Sequence, residues 1–263
     1  MVYETLEYDV HDRIGRLTFN TPETLNSITD LRLTEFADVV GRMESDEGLS
    51  AVIVTGSGRA FCVGLDLGLL DRAFADYAYF ETVLRSLNGT ILKLERLPIP
   101  TIAAVNGPAR AGGFEIALAC DMMVIADDAK IGDNHTYVGV MPGGGSTQRL
   151  PRRIGVPAAK ELIWSARWLT GQEAVEIGLA FKCVASAALQ TEAESLARSF
   201  TDKPRQCLAA VKRAIDGGVN LPIKDGVEFE IATFLEYGRT HPHGSEGFFA
   251  YRQGRPPAWA RKT

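Results

Sequence analysis

The chain has 263 residues and a mass of 28.6 kDa, with 46% hydrophobic and 23% charged residues. This length is ordinary for a single α/β domain, alone or with an appendage, and the composition supports a globular protein with a sizeable core. It excludes a collagen, a coiled coil and a globally disordered chain. Twenty-eight basic and 33 acidic residues give a net charge of −5, so electrostatic attraction does not favour nucleic acid or a membrane surface as a partner.

Strand and helix patterns alternate along the first half of the chain. Alternating apolar residues predict a strand at Ile14–Phe19, and apolar residues at helical spacing predict a helix over residues 31–43. Residues 50–55 form a short apolar run before a Gly-Ser-Gly turn, which is typical of a strand buried on both faces. Two further strands are predicted at Thr101–Val105 and Met122–Ala126. This alternation predicts an α/β fold.

The C-terminal third is predicted to be helical, because strand patterns fade beyond about residue 170. The predicted helices cover residues 173–178, 189–200, 204–216 and 227–237. Residues 201–204 (TDKP) are the best candidate boundary, since Pro204 suits a first helical position and the polar residues before it can cap. We therefore divide the chain at this point, into residues 1–200 and 201–263.

Cysteine usage and the N-terminal sequence favour a cytoplasmic protein. The first seven residues carry two acids and lack the basic-then-apolar order of a signal or transit peptide. No apolar run approaches the roughly 20 residues that span a bilayer. The four cysteines are far apart and form no C-x-x-C pair, so neither a zinc site nor a disulfide framework is expected.

Three glycine-rich segments stand out as candidate functional loops. They are residues 58–67 (GRAFCVGLDL), 106–115 (NGPARAGGFE) and 141–150 (MPGGGSTQRL). None has the G-x-G-x-x-G or G-x-x-x-x-G-K-[ST] spacing of a nucleotide-binding loop, so the glycines need another explanation.

Gly112 and Gly113 precede a short apolar segment, residues 114–120, that is predicted to be helical. Their backbone N–H groups would be free at the helix N-terminus, which makes this a candidate anion or oxyanion site. Two such donors from separate loops can stabilise a thioester enolate. The alternative is that Gly-Gly here is plain turn chemistry.

The three segments together resemble the crotonase superfamily, the enoyl-CoA hydratase/isomerase family. The motifs A-F-C-x-G-x-D-L, N-G-x-A-x-x-G-G-x-E-x-A-L-A-C-D and G-x-x-P-G-G-G-x-T-Q-R-L occur in the family's order and approximate spacing, and the likeness extends over residues 13–259. The resemblance implies a crotonase-like spiral of repeated ββα units, followed by a helical C-terminal oligomerisation region that forms homotrimers, often paired into hexamers.

The resemblance also implies an acyl-CoA site with two backbone donors, the N–H groups of Leu65 and Gly112. Its substrate-binding residues are the adenine contacts Ala60, Asp66 and Leu67, the phosphate contacts Arg59, Arg261 and Lys262, and Gly113 beside the oxyanion hole. Opposite charge makes the basic contacts reasonable. The alternative for Arg59, Arg261 and Lys262 is that they are solvated surface charges.

Glu115 matches the first of two catalytic carboxylates in the family's hydratases. It lies three residues after Gly112, so on a helix it is about one turn along the same face and points toward the oxyanion site. The alternative is a first-turn capping glutamate.

The second carboxylate is missing, and His135 occupies its position in residues 134–143 (NHTYVGVMPG). Histidine exchanges protons near neutrality, with a free pKa of about 6.5, so we predict a catalytic role for His135, with a structural hydrogen-bonding role as the alternative. Asp133 could replace the carboxylate only if this loop is reshaped. His11, His241 and His243 are predicted to be structural, and Ser146 is predicted to cap a helix that begins at Thr147.

The leading function is hydration of a 2-enoyl-CoA through a thioester enolate, with Glu115 moving a proton. Loss of the second carboxylate leaves isomerisation, decarboxylation and C–C hydrolysis as alternatives. No metal, nicotinamide or flavin is expected, because coenzyme A is part of the substrate. A non-catalytic RNA-binding or scaffold protein is the alternative of another class, and the retained Gly112, Gly113 and Glu115 argue against it.

Overall fold

The structure is a computed structural model that describes residues 2–259. Its main sheet has six strands in the order β1-β2-β3-β4-β6-β9, and a small second sheet has the order β5-β7-β8. Only β1 in the main sheet is antiparallel to its neighbour. The nine strands are β1 Leu6–His11, β2 Ile14–Phe19, β3 Ala51–Gly56, β4 Thr101–Val105, β5 Ala109–Arg110, β6 Met122–Ala126, β7 Lys130–Gly132, β8 Leu169–Thr170 and β9 Lys182–Val184.

The two sheets are built by a chain path that repeats. After β3 the chain crosses to the small sheet, where Cys62 bridges Ala109. In the same way β4 is followed by β5 and β6 by β7, and helices separate these pairs. This is the spiral of ββα units that the resemblance implies, and the α/β prediction is confirmed. No repeat is visible in the sequence, because the successive units share the path of the backbone but not their amino-acid residues.

Eleven α-helices surround the sheets within residues 2–259. They are α1 Asp30–Ser45, α2 Leu67–Ala75, α3 Tyr77–Glu95, α4 Gly112–Ala119, α5 Ser146–Ile154, α6 Val156–Ser165, α7 Gly171–Glu176, α8 Leu189–Thr201, α9 Arg205–Gly218, α10 Ile223–Thr240 and α11 His243–Arg252. Local sequence explains their starts: Thr29 accepts a hydrogen bond from the Arg32 N–H before α1, and Thr170 with Glu173 forms a capping box at α7. None is both long and apolar enough to cross a membrane.

The core lies on both faces of the central strands. Every residue of β3 and β4 is buried, and apolar side chains of α1, α3 and α8 pack against the sheet. The four predicted strands are confirmed. The first strand, β1, was not predicted because it is an edge strand in which four of the six residues are exposed. The last, β9, has only three residues, and a strand this short leaves almost no pattern in the sequence.

The C-terminal helices pack mainly on each other. All residues of α9 are at least partly exposed, and Thr233 is the one buried residue of α10. An ion pair joins α9 to the core, with Lys212 Nζ 2.8 Å from Asp121 Oδ2. The prediction of C-terminal helices is confirmed, whereas the predicted place of Pro204 is wrong by one residue: it is the N-cap, and α9 begins at Arg205. The division near residue 200 stays a prediction.

Candidate active site

A cavity of about 880 Å³ lies between helices α2 and α3 and the loop over residues 134–144. Five of the predicted site residues line it: Leu65, Leu67, Gly112, Glu115 and His135. They come from three separate chain segments, which the spiral path brings together. The sequence-based grouping of these residues into one site therefore agrees with the structure.

The backbone around Leu65 leaves its N–H group free. Ile28 forms a parallel bridge with Leu65, in which the Ile28 N–H donates to Gly64 O at 2.8 Å and Ile28 O accepts from the Asp66 N–H at 2.9 Å. In a parallel bridge the central residue's own N–H points away from the partner strand. The Leu65 N–H accordingly faces the other side, and it has no acceptor within residues 2–259.

Gly112 brings a second free donor beside the first. It is the first residue of α4, where N–H groups have no intrahelical acceptor. A Cβ placed on Gly112 would lie 3.4 Å from Gly64 Cα and 3.9 Å from Leu65 N, so the two backbones are in contact. Gly64 has φ +92° and its own Cβ would lie 2.9 Å from the Ala111 Cβ, which explains why glycine occupies that position. Together the donors form a geometry suited to an oxyanion.

The Glu115 carboxyl group lines this cavity and is held by two backbone hydrogen bonds. It is 1% exposed, and its Oε1 accepts from the Gly144 N–H at 2.7 Å and the Ser146 N–H at 3.1 Å. Its Oε2 accepts no hydrogen bond from residues 2–259. Burial raises the pKa of Glu115 above its usual value, although the charge on His135 and the two N–H donors act in the opposite direction. A proton-transfer role is favoured by this raised pKa.

His135 is paired with Asp133, two residues earlier. Its Nδ1 lies 3.0 Å from Asp133 Oδ1, and its side chain is 15% exposed on the cavity wall. Burial lowers the pKa of His135, but the hydrogen bond and charge of Asp133 and the charge of Glu115 outweigh burial, so the pKa lies above its usual value. The alternative that Asp133 itself replaces the missing carboxylate is wrong, because Asp133 is fully buried behind His135 and does not line the cavity.

Four predicted substrate-binding residues lie outside the cavity lining. Arg59 is exposed to solvent, and Ala60 is buried with its carbonyl accepting from Asn26 Nδ2 at 2.8 Å. The Asp66 carboxylate caps α2 by accepting from two backbone N–H groups. Gly113 has a packing role, since a Cβ there would lie 2.0 Å from Cys62 O. Binding of the acyl-CoA substrate by these four residues stays a prediction, and Arg261 and Lys262 lie outside the described residues.

Ser146 does not have the capping role predicted for it. It is the first residue of α5, Gly145 is the N-cap, and the Ser146 hydroxyl is buried without a partner within residues 2–259. Gly145 has φ +110°, which turns the chain so that the Ser146 backbone N–H meets Glu115. Ser146 thus contributes through its backbone.

Two other features bear on the predicted roles of side chains. The histidine pair His241 and His243 packs in an aromatic row between Tyr237 and Trp259, with ring centroids 5.6 to 6.4 Å apart, in line with structural roles. Within residues 2–259 no group of three or more His, Cys, Asp or Glu side chains is arranged to hold a metal ion.

Sequence reasoning missed the apolar wall of the cavity. Helices α2 and α3 and the residue before β8 supply Leu70, Phe74, Tyr77, Phe80, Leu84 and Trp168. In the sequence these residues look like ordinary helix-core positions, and only exposure in the folded chain separates them: Phe74 is 45% and Tyr77 72% exposed. Large exposed aromatic side chains around a concavity indicate a site for an apolar ligand group.

The chain is similar to known proteins along nearly its whole length. The sequence profile described as enoyl-CoA hydratase/isomerase matches residues 9–262. A probable mitochondrial enoyl-CoA hydratase of Dictyostelium discoideum is 33% identical over 250 residues, 95% of this chain and 88% of the relative. The mitochondrial methylglutaconyl-CoA hydratase of Rattus norvegicus is 36% identical over 239 residues, 89% of this chain and 75% of the relative. A crystal structure of enoyl-CoA hydratase from Bacillus anthracis matches with a TM-score of 0.92 at 31% identity, covering 98% and 99% of the two chains.

Proposed function

The chain belongs to the enoyl-CoA hydratase/isomerase family, and we propose that it adds water across the double bond of a trans-2-enoyl-CoA thioester. One observation carries this proposal: two free backbone donors, on Leu65 and Gly112, share a cavity with two titratable side chains, Glu115 and His135. Relatives named as hydratases support the same reaction type.

The two backbone donors supply stabilisation of negative charge. When water adds to the β-carbon of the enoyl group, electrons move onto the thioester oxygen and form an enolate. The N–H groups of Leu65 and Gly112 are fixed before the reaction, so they stabilise this charge without reorganising. Removing one such donor typically slows an enzyme by about 10² to 10³-fold.

The two side chains supply proton transfer. Hydration requires one group to take a proton from the attacking water and another to give a proton to the α-carbon. Glu115 and His135 satisfy this if they hold one transferable proton between them. The pKa of each group lies above its usual value, and this direction favours retention of that proton by the pair. No step requires a cofactor, because coenzyme A arrives as part of the substrate.

The remaining surface of the site accounts for the rest of the acyl-CoA. The apolar wall from α2 and α3 takes the acyl chain, and the exposed Leu67 lies at the cavity edge. We propose that the nucleotide end contacts Arg59, Ala60 and Asp66 from outside the cavity, together with Arg261 and Lys262. The four cysteines are free thiols, which supports a reducing compartment such as the cytoplasm.

We also propose that the chain forms homotrimers or dimers of trimers through its C-terminal helices. Helices α9 to α11 expose more apolar surface than a monomer in water normally tolerates. The exposed side chains are Val211, Ile215, Val219, Ile223, Val227, Ile231, Phe234, Leu235, Phe248, Phe249 and Tyr251. Light scattering is expected to give a multiple of three chains, and a monomer at micromolar concentration would contradict the proposal.

Steady-state turnover of crotonyl-CoA tests the hydratase reaction. Hydration removes the conjugated double bond, so the ultraviolet absorbance of the enoyl thioester falls as product forms. Calorimetry provides a second measurement: acetoacetyl-CoA is expected to bind much more tightly than free acetoacetate, because the CoA portion contributes binding energy that anchors the acyl group. Equal affinities would contradict an acyl-CoA site.

His135 favours a second candidate reaction of the same family. An imidazole paired with Asp133 is a different proton-transfer group from a carboxylate, so double-bond isomerisation, decarboxylation or C–C hydrolysis becomes the alternative. A panel of enoyl, malonyl-type and β-diketone CoA esters separates these reactions. The His135→Glu variant restores two carboxylates, and a gain in crotonyl-CoA hydration would mean that the native enzyme has moved away from simple hydration. No turnover with any ester would favour the RNA-binding or scaffold alternative.

A further inference from the structure

We propose that Asp133 is a positioning residue that holds His135 as the Nδ1–H tautomer, with the unprotonated Nε2 turned toward the cavity. This proposal concerns the same site as the proposed function and rests on it only for the identity of the reaction. The tautomer itself is a property of the free protein, so it can be tested whether or not crotonyl-CoA is the substrate.

The contacts of Nδ1 favour one arrangement of the imidazole. Asp133 Oδ1 lies 3.0 Å from His135 Nδ1 and also accepts from the His135 backbone N–H at 3.3 Å. An ionised carboxylate can only accept, so the Nδ1 facing it must carry a hydrogen. In the neutral imidazole this leaves Nε2 as the acceptor. Because His135 lines the cavity, the free lone pair is available to a water molecule or a substrate.

Packing alone does not explain a carboxylate at position 133. The side chain is fully buried, and its Oδ2 has no hydrogen-bond partner within residues 2–259. A buried carboxylate oxygen without a partner lowers stability, and an apolar residue would fill the same space at less cost. The contacts that this carboxylate does make are with the backbone N–H and the Nδ1 of His135.

The backbone between the two residues is also held in an unusual conformation. Asn134 has φ +55°, in the left-handed region that non-glycine residues adopt uncommonly. Its Nδ2 donates to Ala166 O at 2.6 Å, which fixes the turn to the segment after α6. This turn places the Asp133 carboxylate next to Nδ1 of His135. Strained backbone of this kind persists where the surrounding structure holds it, most often at functional sites.

The other charged groups near His135 determine how it responds to pH. Asp133 and Glu115 both stabilise the imidazolium, whereas Arg110 on the cavity edge opposes it. Glu115 is held by two backbone donors of its own and does not need His135 for its position. Removing the Asp133 charge should therefore lower the pKa of His135 and free its tautomer, while Glu115 stays in place.

Nitrogen-15 NMR of the histidine side chains tests the tautomer directly. The chain has only four histidines, so the His135→Ala spectrum identifies the His135 signals by their loss. Above its pKa, His135 in the unmodified protein is expected to show a protonated Nδ1 and an unprotonated Nε2. A protonated Nε2 would overturn the proposal, and this measurement needs no variant of Asp133 that folds.

Kinetics of Asp133→Asn test the positioning role. The asparagine amide can donate to Nδ1 as well as accept from it, so the tautomer is no longer selected. We expect kcat to fall by about 10²-fold or more while KM stays nearly unchanged, and the limb of the pH–rate profile due to His135 to move toward acid. Asp127→Asn is the matched control, because its carboxylate also accepts a backbone N–H, from Ser186, but is exposed and away from the cavity.

A double-mutant cycle separates positioning from a general effect on folding. If Asp133 acts through His135, then adding Asp133→Asn to His135→Ala should change kcat by less than about twofold. Two fully additive losses, or an unchanged pH–rate limb in Asp133→Asn, would overturn the proposal. If the unmodified protein hydrates no enoyl-CoA but shows the expected tautomer, the proposed reaction fails and the positioning role of Asp133 stands.

Discussion

Replacement of Glu115 by glutamine should distinguish the contribution of this buried side chain to catalysis from its contribution to stability. Glutamine is nearly isosteric, and its carbonyl oxygen can still accept from the Gly144 and Ser146 N–H groups that now hold Oε1. The amide nitrogen then takes the place of Oε2, the oxygen that accepts no hydrogen bond within residues 2–259. The variant thus keeps the shape of the cavity and loses a group that can take up and return a proton.

The expected loss of turnover follows from the role of general acid–base catalysis. Such groups typically contribute about 10² to 10⁴-fold, which corresponds to roughly 2.7 to 5.4 kcal/mol in the activation barrier. Ligand affinity should change little, because the Leu65 and Gly112 donors and the apolar wall are untouched. Calorimetry with acetoacetyl-CoA measures that affinity independently of turnover.

Stability should change in the opposite direction to activity. The pKa of Glu115 is raised in the folded chain, mainly by burial. An acid with a raised folded pKa favours the folded state below its unfolded pKa, and that contribution is lost as the pH rises through the folded pKa. Glutamine has no such loss, so Glu115→Gln should gain stability relative to the unmodified protein as the pH rises across this window.

Three measurements on one preparation decide the outcome. Turnover of crotonyl-CoA, calorimetry and thermal unfolding at several pH values are compared with those of Glu44→Gln, an exposed glutamate on α1. Nearly full activity in Glu115→Gln would assign the proton transfer elsewhere. A stability difference that shrinks as the pH rises would refute the argument that burial raises the pKa of Glu115.

The other predictions concern three separate contacts. His135→Ala should remove a limb of the pH–rate profile that lies above the usual imidazole pKa, together with much of kcat, and an unchanged profile would make His135 structural. Gly144→Ala places a Cβ 2.3 Å from Glu115 Oε2. Because this displaces the carboxylate, crotonyl-CoA turnover should fall by about 10²-fold. Gly41→Ala is the control: its Cβ has open space around it, and the variant should retain full turnover. Lys212→Met breaks the ion pair that joins α9 to the core. The free energy of unfolding, measured in denaturant, should fall by about 1 to 3 kcal/mol. A change under about 0.5 kcal/mol would mean that the pair contributes little to stability.

Much of this protein follows from short-range sequence patterns. The strands β3 and β4 are continuous apolar runs, and the packing of a parallel sheet between helices requires such runs. The donor of Gly112 and the carboxylate of Glu115 lie three residues apart, so a helix starting at Gly112 places both on one face. The motifs around them identified the family, and the match over residues 9–262 confirms it.

Patterns failed where a residue's role depends on a distant neighbour. Ser146 has the residue type of an N-cap, yet the left-handed Gly145 turns its hydroxyl into the interior and its backbone N–H toward Glu115. Gly113 belongs to a motif associated with substrate, but the nearby Cys62 carbonyl explains why it is glycine. Neither contact can be read from local spacing.

Sequence patterns and the tertiary structure determine different features of this protein for a physical reason. Local backbone preference and apolar periodicity act over a few residues, so the sequence by itself determined strands β2, β3, β4 and β6, helices α1, α4 and α7 to α10, and the Gly112 to Glu115 arrangement. The meeting of Leu65 N–H with Gly112, the approach of Gly144 to Glu115 and the apolar wall of α2 and α3 depend on the spiral path, which joins segments far apart in the chain. The proposed role of Asp133 also depends on the folded chain, because the left-handed backbone at Asn134 places a buried carboxylate 3.0 Å from His135 Nδ1.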